Sequence, residues 1–261
     1  MLSNPALILT VPPEGFRAAQ NAGLTLAHLA YRVGGGPHLF RANIPVAVRG
    51  GLMAVDDAGF DGRGEATAFC HEVLRECTAR GFTGVVCRFT GRPLPLLRQI
   101  ITQLGDLLNR RRWPLYVPES YGDASDRTQV LIPSALSGGS LRQRLEEAVE
   151  RYGADRVVLQ VERSAEDFFL PSPTGQGVPL SREELRRRLS DLSPTVFFSS
   201  ELCAHYFTYM SKENGAHFIL FDDAGSIRKK LQIAAGLGIP TAILDYQEVD
   251  DLLPELLGRS G

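Results

Sequence analysis

Tryptophan occurs once in the 261 residues, at Trp113, and methionine three times, cysteine four and histidine five. Each scarcity narrows what the chain can do. Cys70 and Cys77 lie seven residues apart on one expected helix, about 10 Å along its axis, too far to bridge each other. Cys87 and Cys203 lie elsewhere, and no Cys-x-x-Cys or His-x-x-x-His spacing occurs. The thiols therefore read as buried and reduced, and with His28, His38, His71, His205 and His217 scattered along the chain, neither a metal nor another cofactor is expected. A cationic surplus is also missing. Lys plus Arg number 28 against 30 Asp plus Glu, a formal net charge of −2, which gives no footprint for nucleic acid or anionic lipid. The basic runs Arg110 to Arg112 and Arg186 to Arg188 read as solvated helix faces. No apolar run approaches the ~20 residues of a membrane helix. Residues 1–12 carry no basic segment or small-residue cleavage site, so no signal peptide is read and a soluble, cytoplasmic protein is expected.

What is present is apolar periodicity. The chain is 44% hydrophobic, and its length is close to the ~250 residues of one eight-stranded α/β barrel. Ala6 to Val11 reads as a first strand, followed by a short helix from Phe16 to Ala22 that Gly23 stops. Leu26 to Val33 gives a second strand, and Pro45 to Val55 contains a third. The glycines at 34–36 are followed by Pro37 and more loop rather than a helix, which argues against a phosphate cradle. Ala66, Phe69, Cys70, Val73, Leu74 and Cys77 form one helical stripe closed by Gly81. Gly81 to Thr90 is a fourth strand, and Leu97, Ile100, Ile101, Leu104, Leu107 and Leu108 form the next stripe. Pro114 to Tyr121 and Thr128 to Ser134 supply strands five and six. Ser140 with Gln143 reads as a capping box for a helix leading to a seventh strand, Asp155 to Glu162. Pro240 to Tyr246 is the eighth. Strands alternating with helices at this spacing predict a closed parallel (β/α)8 TIM barrel.

One segment breaks the alternation. Between Glu162 and the last helix lie about sixty residues, including Pro171, Pro173, Gly175 and Gly177, a helix capped by Ser181 and Glu184, and two strand-like runs around Asn214 and Gly215, a strong hairpin signal. The expected organisation is a barrel over 1–162 and 223–261 with a small α+β insertion over 163–222.

The closing stretch carries a more specific signal. A strand-like run from His217 reaches Asp222 and Asp223, and Ala224, Ser226, Ile227 and Lys230 open the helix that Gly238 ends before the final strand. This pattern of a strand, an acidic pair, Ala-x-Ser-Ile-x-x-Lys and a closing strand resembles the end of family 18 glycoside hydrolases, most closely those of the spore-cortex-lytic and germination type. Asp167 and Phe168, Leu180 to Glu184, Tyr206 to Tyr209 and His217 resemble the preceding stretch of that type in order and spacing. The resemblance covers residues 141–247 well and the first half in outline. It implies a sporulation or peptidoglycan setting and an insertion that walls a substrate groove.

The chemistry of that family rests on Asp-Gly-x-Asp-x-Asp-x-Glu on strand four, whose last residue protonates the glycosidic oxygen while the substrate's N-acetyl group acts as nucleophile, an exception to the two-carboxylate rule. Matching the segment Gly81 to Gly84 to the family's Gly-Phe-Asp-Gly puts Thr83, Val86, Arg88 and Thr90 at the four acidic positions. A threonine there is no proton donor near neutral pH, and loss of general acid catalysis alone costs about 10²–10⁴-fold. The family's strand-three Ser-x-Gly-Gly falls at Val48 to Gly51, and its floor tryptophan at Asp245 or Tyr246. Asp155 to Glu162 matches the first and last acids of the signature, but only one strand follows it where the family has four.

Carboxylates at other strand ends, Asp56, Asp57, Glu119, Glu162 and Asp245, are candidates to neutralise an inward Arg88, or to serve as a relocated general acid in the case of Glu119 or Glu162. A phosphate site after strands seven and eight is disfavoured by Asp245, Glu248, Asp250 and Asp251. Expected ligand contacts are Asp56, Asp57, Tyr121, Phe168, Asp245 and Tyr246, the aromatic ones offering stacking faces. The resulting expectation is a pseudoenzyme that binds an N-acetylglucosamine polymer such as peptidoglycan, or serves a structural role. The alternative is an active glycosidase on peptidoglycan or a chitin-like polymer using relocated carboxylates. An aromatic-lined open groove favours the glycan ligand, and a mouth plugged by Arg88 and its partners favours a scaffold.

Overall fold

The structure is a computed structural model that describes residues 4–42, 48–136, 138–171, 175–211 and 215–258. Strand β1 (Ala6–Val11) passes through a 3-10 turn, α1 (Phe16–Ala19) and a second 3-10 turn ended by left-handed Gly23 into β2 (Thr25–Gly34). A short β3 (His38–Arg41) folds back antiparallel on β2, and β4 (Leu52–Asp56) follows. Residues 43–47 lie outside the described residues, as does the Pro45 end of the expected third strand. Then come α2 (Ala66–Arg80), β5 (Val85–Arg88), α3 (Pro95–Asn109), β6 (Leu115–Pro118), β7 (Gln129–Pro133), α4 (Leu141–Tyr152) and β8 (Val157–Val161). After an intervening segment, α6 (Ala224–Gly236) and β14 (Thr241–Asp245) complete the frame, with α7 (Tyr246–Val249) and α8 (Leu253–Leu256) behind it.

Eight parallel strands pair in the order β1, β14, β8, β7, β6, β5, β4, β2, and β1 pairs with β2 to close the ring. Period-two alternation then sorts side chains into two layers. Ile8, Ala27, Leu52, Ala54, Val86, Tyr116, Leu131, Val158 and Ile243 fill the barrel interior. The outward set meets the helices: Phe69, Val73 and Cys77 of α2, together with Leu97, Ile100, Ile101 and Leu104 of α3, cover one side. Leu141 and Leu145 of α4 and Ile227, Leu231 and Ala234 of α6 cover the other. Pro95 starts α3 at a position where its missing N–H costs nothing. The Ser140 cap is half made, because its hydroxyl accepts from Gln143 N while the Gln143 side chain turns to Glu147.

Two glycines of the strand-three and strand-four motifs are fixed by packing. Gly51 is left-handed at φ 70°, with room for a Cβ only 2.3 Å from Leu26 O. At Gly84 a Cβ would stand 2.8 Å from Pro114 O and 2.9 Å from Leu52. Both lie at the bottom of the barrel, and neither position tolerates a side chain without moving backbone. All four cysteines are buried and free. Burial drives the Cys70 and Cys77 thiols up to about 12 and Cys203 to about 11.

The segment between β8 and α6 forms a second, antiparallel sheet of β9 (Ala165–Leu170), β10 (Val178–Pro179), β11 (Phe197–Ser199), β12 (Ala204–Ser211) and β13 (Gly215–Phe221), ordered β10, β9, β13, β12, β11. The β12–β13 hairpin falls where the sequence signalled one, with Asn214 outside the described residues, as is Pro173. Helix α5 (Arg182–Leu192), opened by a complete Ser181–Glu184 capping box, covers one face through Leu185 on Phe207, Ile219 and Phe221. The arginine run on α5 is not wholly solvated, as the sequence reading had it: Arg188 inserts between buried Asp167 and the Tyr209 hydroxyl. Asp167 also lies 2.9 Å from His217 Nδ1, and the His217 ring stacks on Tyr209.

The two ends of this sheet are locked at the barrel rim. Asp222 N donates to Ser164 O, and Ser164 N donates back to Asp222 Oδ2, both at 2.8 Å. Asp222 further accepts from Ser226 Oγ at 2.7 Å and from Lys230 Nζ at 2.6 Å, with Asp222 and Lys230 each 1% exposed. Asp223 caps α6 through a reciprocal box with Ser226.

Candidate functional site

A cavity of about 490 Å³ opens where the strands end at their carboxyl termini, the face on which barrel sites form. Its floor is the top of the barrel interior: Val86, Leu131 and Ile243. One step further along the same strands stand Arg88 of β5, Gln160 of β8 and Asp245 of β14, with Thr10 of β1 beside them. The segment Glu162 to Glu166, with Pro179 and Leu180 from the second sheet, builds a wall, and Glu248 of α7 reaches in from the rim. A second cavity of about 350 Å³ adjoins it through shared Ala135, Ser164 and Glu166.

Arg88 points inward, as the alternation requires, and its Nη1 donates to Asp245 Oδ2. Strands β5 and β14 are four places apart in either direction around the ring. The ion pair therefore spans the mouth. Asp245 also caps α7 by accepting from Gln247 N at 3.1 Å, which turns the chain so that Glu248, one helical turn on, faces back over the mouth.

Glu162 and Glu248 both have carboxyls raised above the usual range. Burial is the main cause for each, and their mutual repulsion adds at Glu162 and the nearby Asp245 charge at Glu248. Lys230 and Arg88 offset part of the effect at Glu162. Glu162 Oε1 accepts from Gln160 Nε2 at 2.9 Å, and Glu248 Oε2 accepts from Arg163 N at 3.1 Å. The Arg163 guanidinium turns to Glu248 O and Asp251.

Of the other sequence candidates, Thr90 lines the cavity, while Thr83 sits at the barrel bottom, its hydroxyl donating to Gly51 O. Asp57 is turned outward and accepts from Thr90 N and Gly91 N, so it shapes the β5–α3 loop. Asp56 accepts from Ala58 N in a local turn and does not line the cavity. Four further expectations need correction. Glu119 does not reach the mouth, because β6 ends at Pro118 and a 3-10 turn carries Glu119 outward to Arg144 on α4. Tyr121 is fully buried between α3 and the strands, its hydroxyl accepting from Leu94 N, so it has no free face to stack on a ligand. Phe168 is buried against Ala204 and Leu220 in the second sheet, and Tyr246 packs beside Gly15 behind the barrel rim. None of these three rings lines the cavity.

Sequence reasoning passed over Glu248 as a site residue. The available signal was its place three residues after the N-cap Asp245, which directs an N3 carboxylate back toward the helix start. The mouth is thus neither an aromatic groove nor a filled plug. It is a bridged cavity with polar walls. Among the described residues, no three His, Cys, Asp or Glu side chains are placed to hold a metal ion.

No protein-family model and no curated protein matches the chain. Solved structures do. The spore cortex-lytic enzyme SleL of Bacillus megaterium QM B1551 matches over 99% of this chain and 74% of its own, with TM-score 0.70 and 14% identity. A chitinase from Chromobacterium violaceum ATCC 12472 matches over 97% of this chain and 98% of its own, with TM-score 0.71 and 14% identity. A glycoside hydrolase family 18 N-acetylglucosaminidase from Paenibacillus barengoltzii matches over 98% and 100%, with TM-score 0.67 and 14% identity. The chain therefore has the fold of these glycoside hydrolases from end to end. At this identity the likeness is one of fold.

Proposed function

We propose that this protein is a non-hydrolytic glycan-binding barrel that holds an N-acetylglucosamine-containing polymer, such as peptidoglycan, at its C-terminal mouth. One observation carries the reading: the mouth keeps a cavity of about 490 Å³ lined by Val86, Arg88 and Thr90, the residues that the resemblance aligns with the family's acids. Arg88 is already engaged by Asp245 across the opening. Neither it nor Thr90 can protonate a leaving oxygen at neutral pH. Binding needs less. Thr10, Thr90 and Gln160 offer hydroxyl and amide groups, and Leu180 and Pro179 offer an apolar wall for the C–H face of a sugar. The cortex-lytic enzyme and chitinases that share the fold support a polymer of this class.

The test is calorimetry with N-acetylglucosamine oligomers and with spore or vegetative peptidoglycan, run beside an assay for released products. Binding without turnover is expected. A second reading has its own support: Glu162 has a raised carboxyl and faces the cavity, as a relocated general acid requires. Robust turnover that Glu162→Gln abolishes would replace the non-hydrolytic reading with this one. Absence of both binding and turnover would leave a scaffold role.

A further inference from the structure

The mouth cavity has a charge balance that narrows its ligand. Four carboxyl groups line it, Glu162, Glu166, Asp245 and Glu248, against two guanidinium groups, Arg88 and Arg163. Neither cation is free for a ligand. Arg88 is held by Asp245, and Arg163 is turned to the Glu248 carbonyl and Asp251. Lys230, whose charge reaches Glu162, is buried against Asp222. Among the described residues, Glu162 after β8 and Glu248 after the neighbouring β14 have no side-chain cation bonded to their carboxylates, only the Gln160 amide and the Arg163 backbone N–H. An N-acetyl group is neutral and relieves none of this surplus. An ammonium group does.

We propose that the barrel mouth selects a ligand carrying a protonated amine, so that its preferred occupant is an amino-sugar polymer with unacetylated glucosamine residues. The inference rests on the glycan-binding reading and sharpens it. In a cavity walled by protein, a charge-assisted hydrogen bond from an ammonium to one or both carboxylates is stronger than the neutral bonds an acetamide can make. Charged hydrogen bonds of this kind correspond to about tenfold or more in affinity.

A proton linkage follows. Glu162 faces Gln160, Glu248, Lys230 and Arg88, and Glu248 faces Asp245, Arg88 and Arg163. Both carboxyls are raised, so as pH falls each takes up a proton sooner than an ordinary carboxylate and then cannot pair with an ammonium. Affinity for the amine ligand rises with pH through that range, and binding there expels protons.

The experiment is titration calorimetry of the full chain with a glucosamine tetramer and an N-acetylglucosamine tetramer, near neutral and at mildly acid pH, in two buffers of different protonation enthalpy. Expected are about tenfold or tighter binding of the glucosamine tetramer near neutrality, a smaller preference in acid, and proton release between. The double variant Glu162→Gln, Glu248→Gln should lose the preference for the glucosamine tetramer. Equal or tighter binding of the acetylated tetramer by the wild type overturns this inference and leaves the glycan reading standing. If neither tetramer nor peptidoglycan binds, both fall together.

Discussion

Two clusters of buried charge sit a few residues apart and solve opposite problems. At the junction of the barrel and the second sheet, Asp222 accepts from Ser164 N, Ser226 Oγ and Lys230 Nζ, and its cation is itself buried. Both carboxylate oxygens are hydrogen-bonded, and one negative charge meets one positive. At the mouth, Glu162 and Glu248 share a cavity with more carboxylates than cations, and burial first, then a neighbouring carboxylate, raises their carboxyls. The comparison separates charge that builds from charge that waits. A fully satisfied cluster fixes how two parts of the chain meet, and an unsatisfied one stores a preference for something that is not protein.

The comparison can be broken most forcefully at the junction. Lys230→Met leaves the Asp222 carboxylate buried without its cation and is expected to cost about 3–5 kcal/mol in a denaturant titration. A loss below about 1 kcal/mol would show that water reaches the cluster and that it is not structural in this sense. The bridge across the mouth comes next. Its side chains are 28% and 19% exposed, so Arg88→Ala should cost about 1.5–3 kcal/mol, and stability equal to wild type would mean the guanidinium is solvated.

A smaller effect of opposite sign is expected at the surplus acids. A carboxyl whose folded pKa lies above its unfolded value contributes stability that is full below the unfolded pKa and lost as pH rises through the folded one. Glu162→Gln and Glu248→Gln should therefore leave stability unchanged in acid and raise it by about 1 kcal/mol or less near neutrality, read from melts across pH. Destabilisation by either change near neutrality would contradict the surplus. The smallest effect belongs to Glu119→Gln. Its partner Arg144 lies outside the mouth, and the pair is partly exposed, so stability should move within about 0.5 kcal/mol and ligand affinity not at all.

The barrel was legible because its information is periodic. Inward Val86 and Arg88 follow from alternation along β5, and the stripes of α2 and α3 follow from a repeat of 3.6. The glycine pairs of the resembled family were legible too, and the structure gives them a reason in Gly51 and Gly84, which no side chain could replace. Asp222, Ser226, Lys230, Asp167 and His217, all quoted for the resemblance, turn out to lie in buried clusters. What the chain shares with the family is thus largely what holds the fold. The site was less legible because it depends on where strands stop. One 3-10 turn after Pro118 removes Glu119 and Tyr121 from the mouth, and one N-capped turn after Asp245 brings Glu248 in. Such terminal turns leave no periodic trace.

The four buried thiols bear on a different question, which is where such a protein can live. A thiol is oxidised or exchanged through its thiolate, and burial holds Cys70, Cys77 and Cys203 far from ionising at any physiological pH. With all four thiols buried, the folded chain presents no cysteine to an oxidant or to a disulfide. Its cysteines would pass from a reducing to an oxidising compartment without forming or exchanging a disulfide.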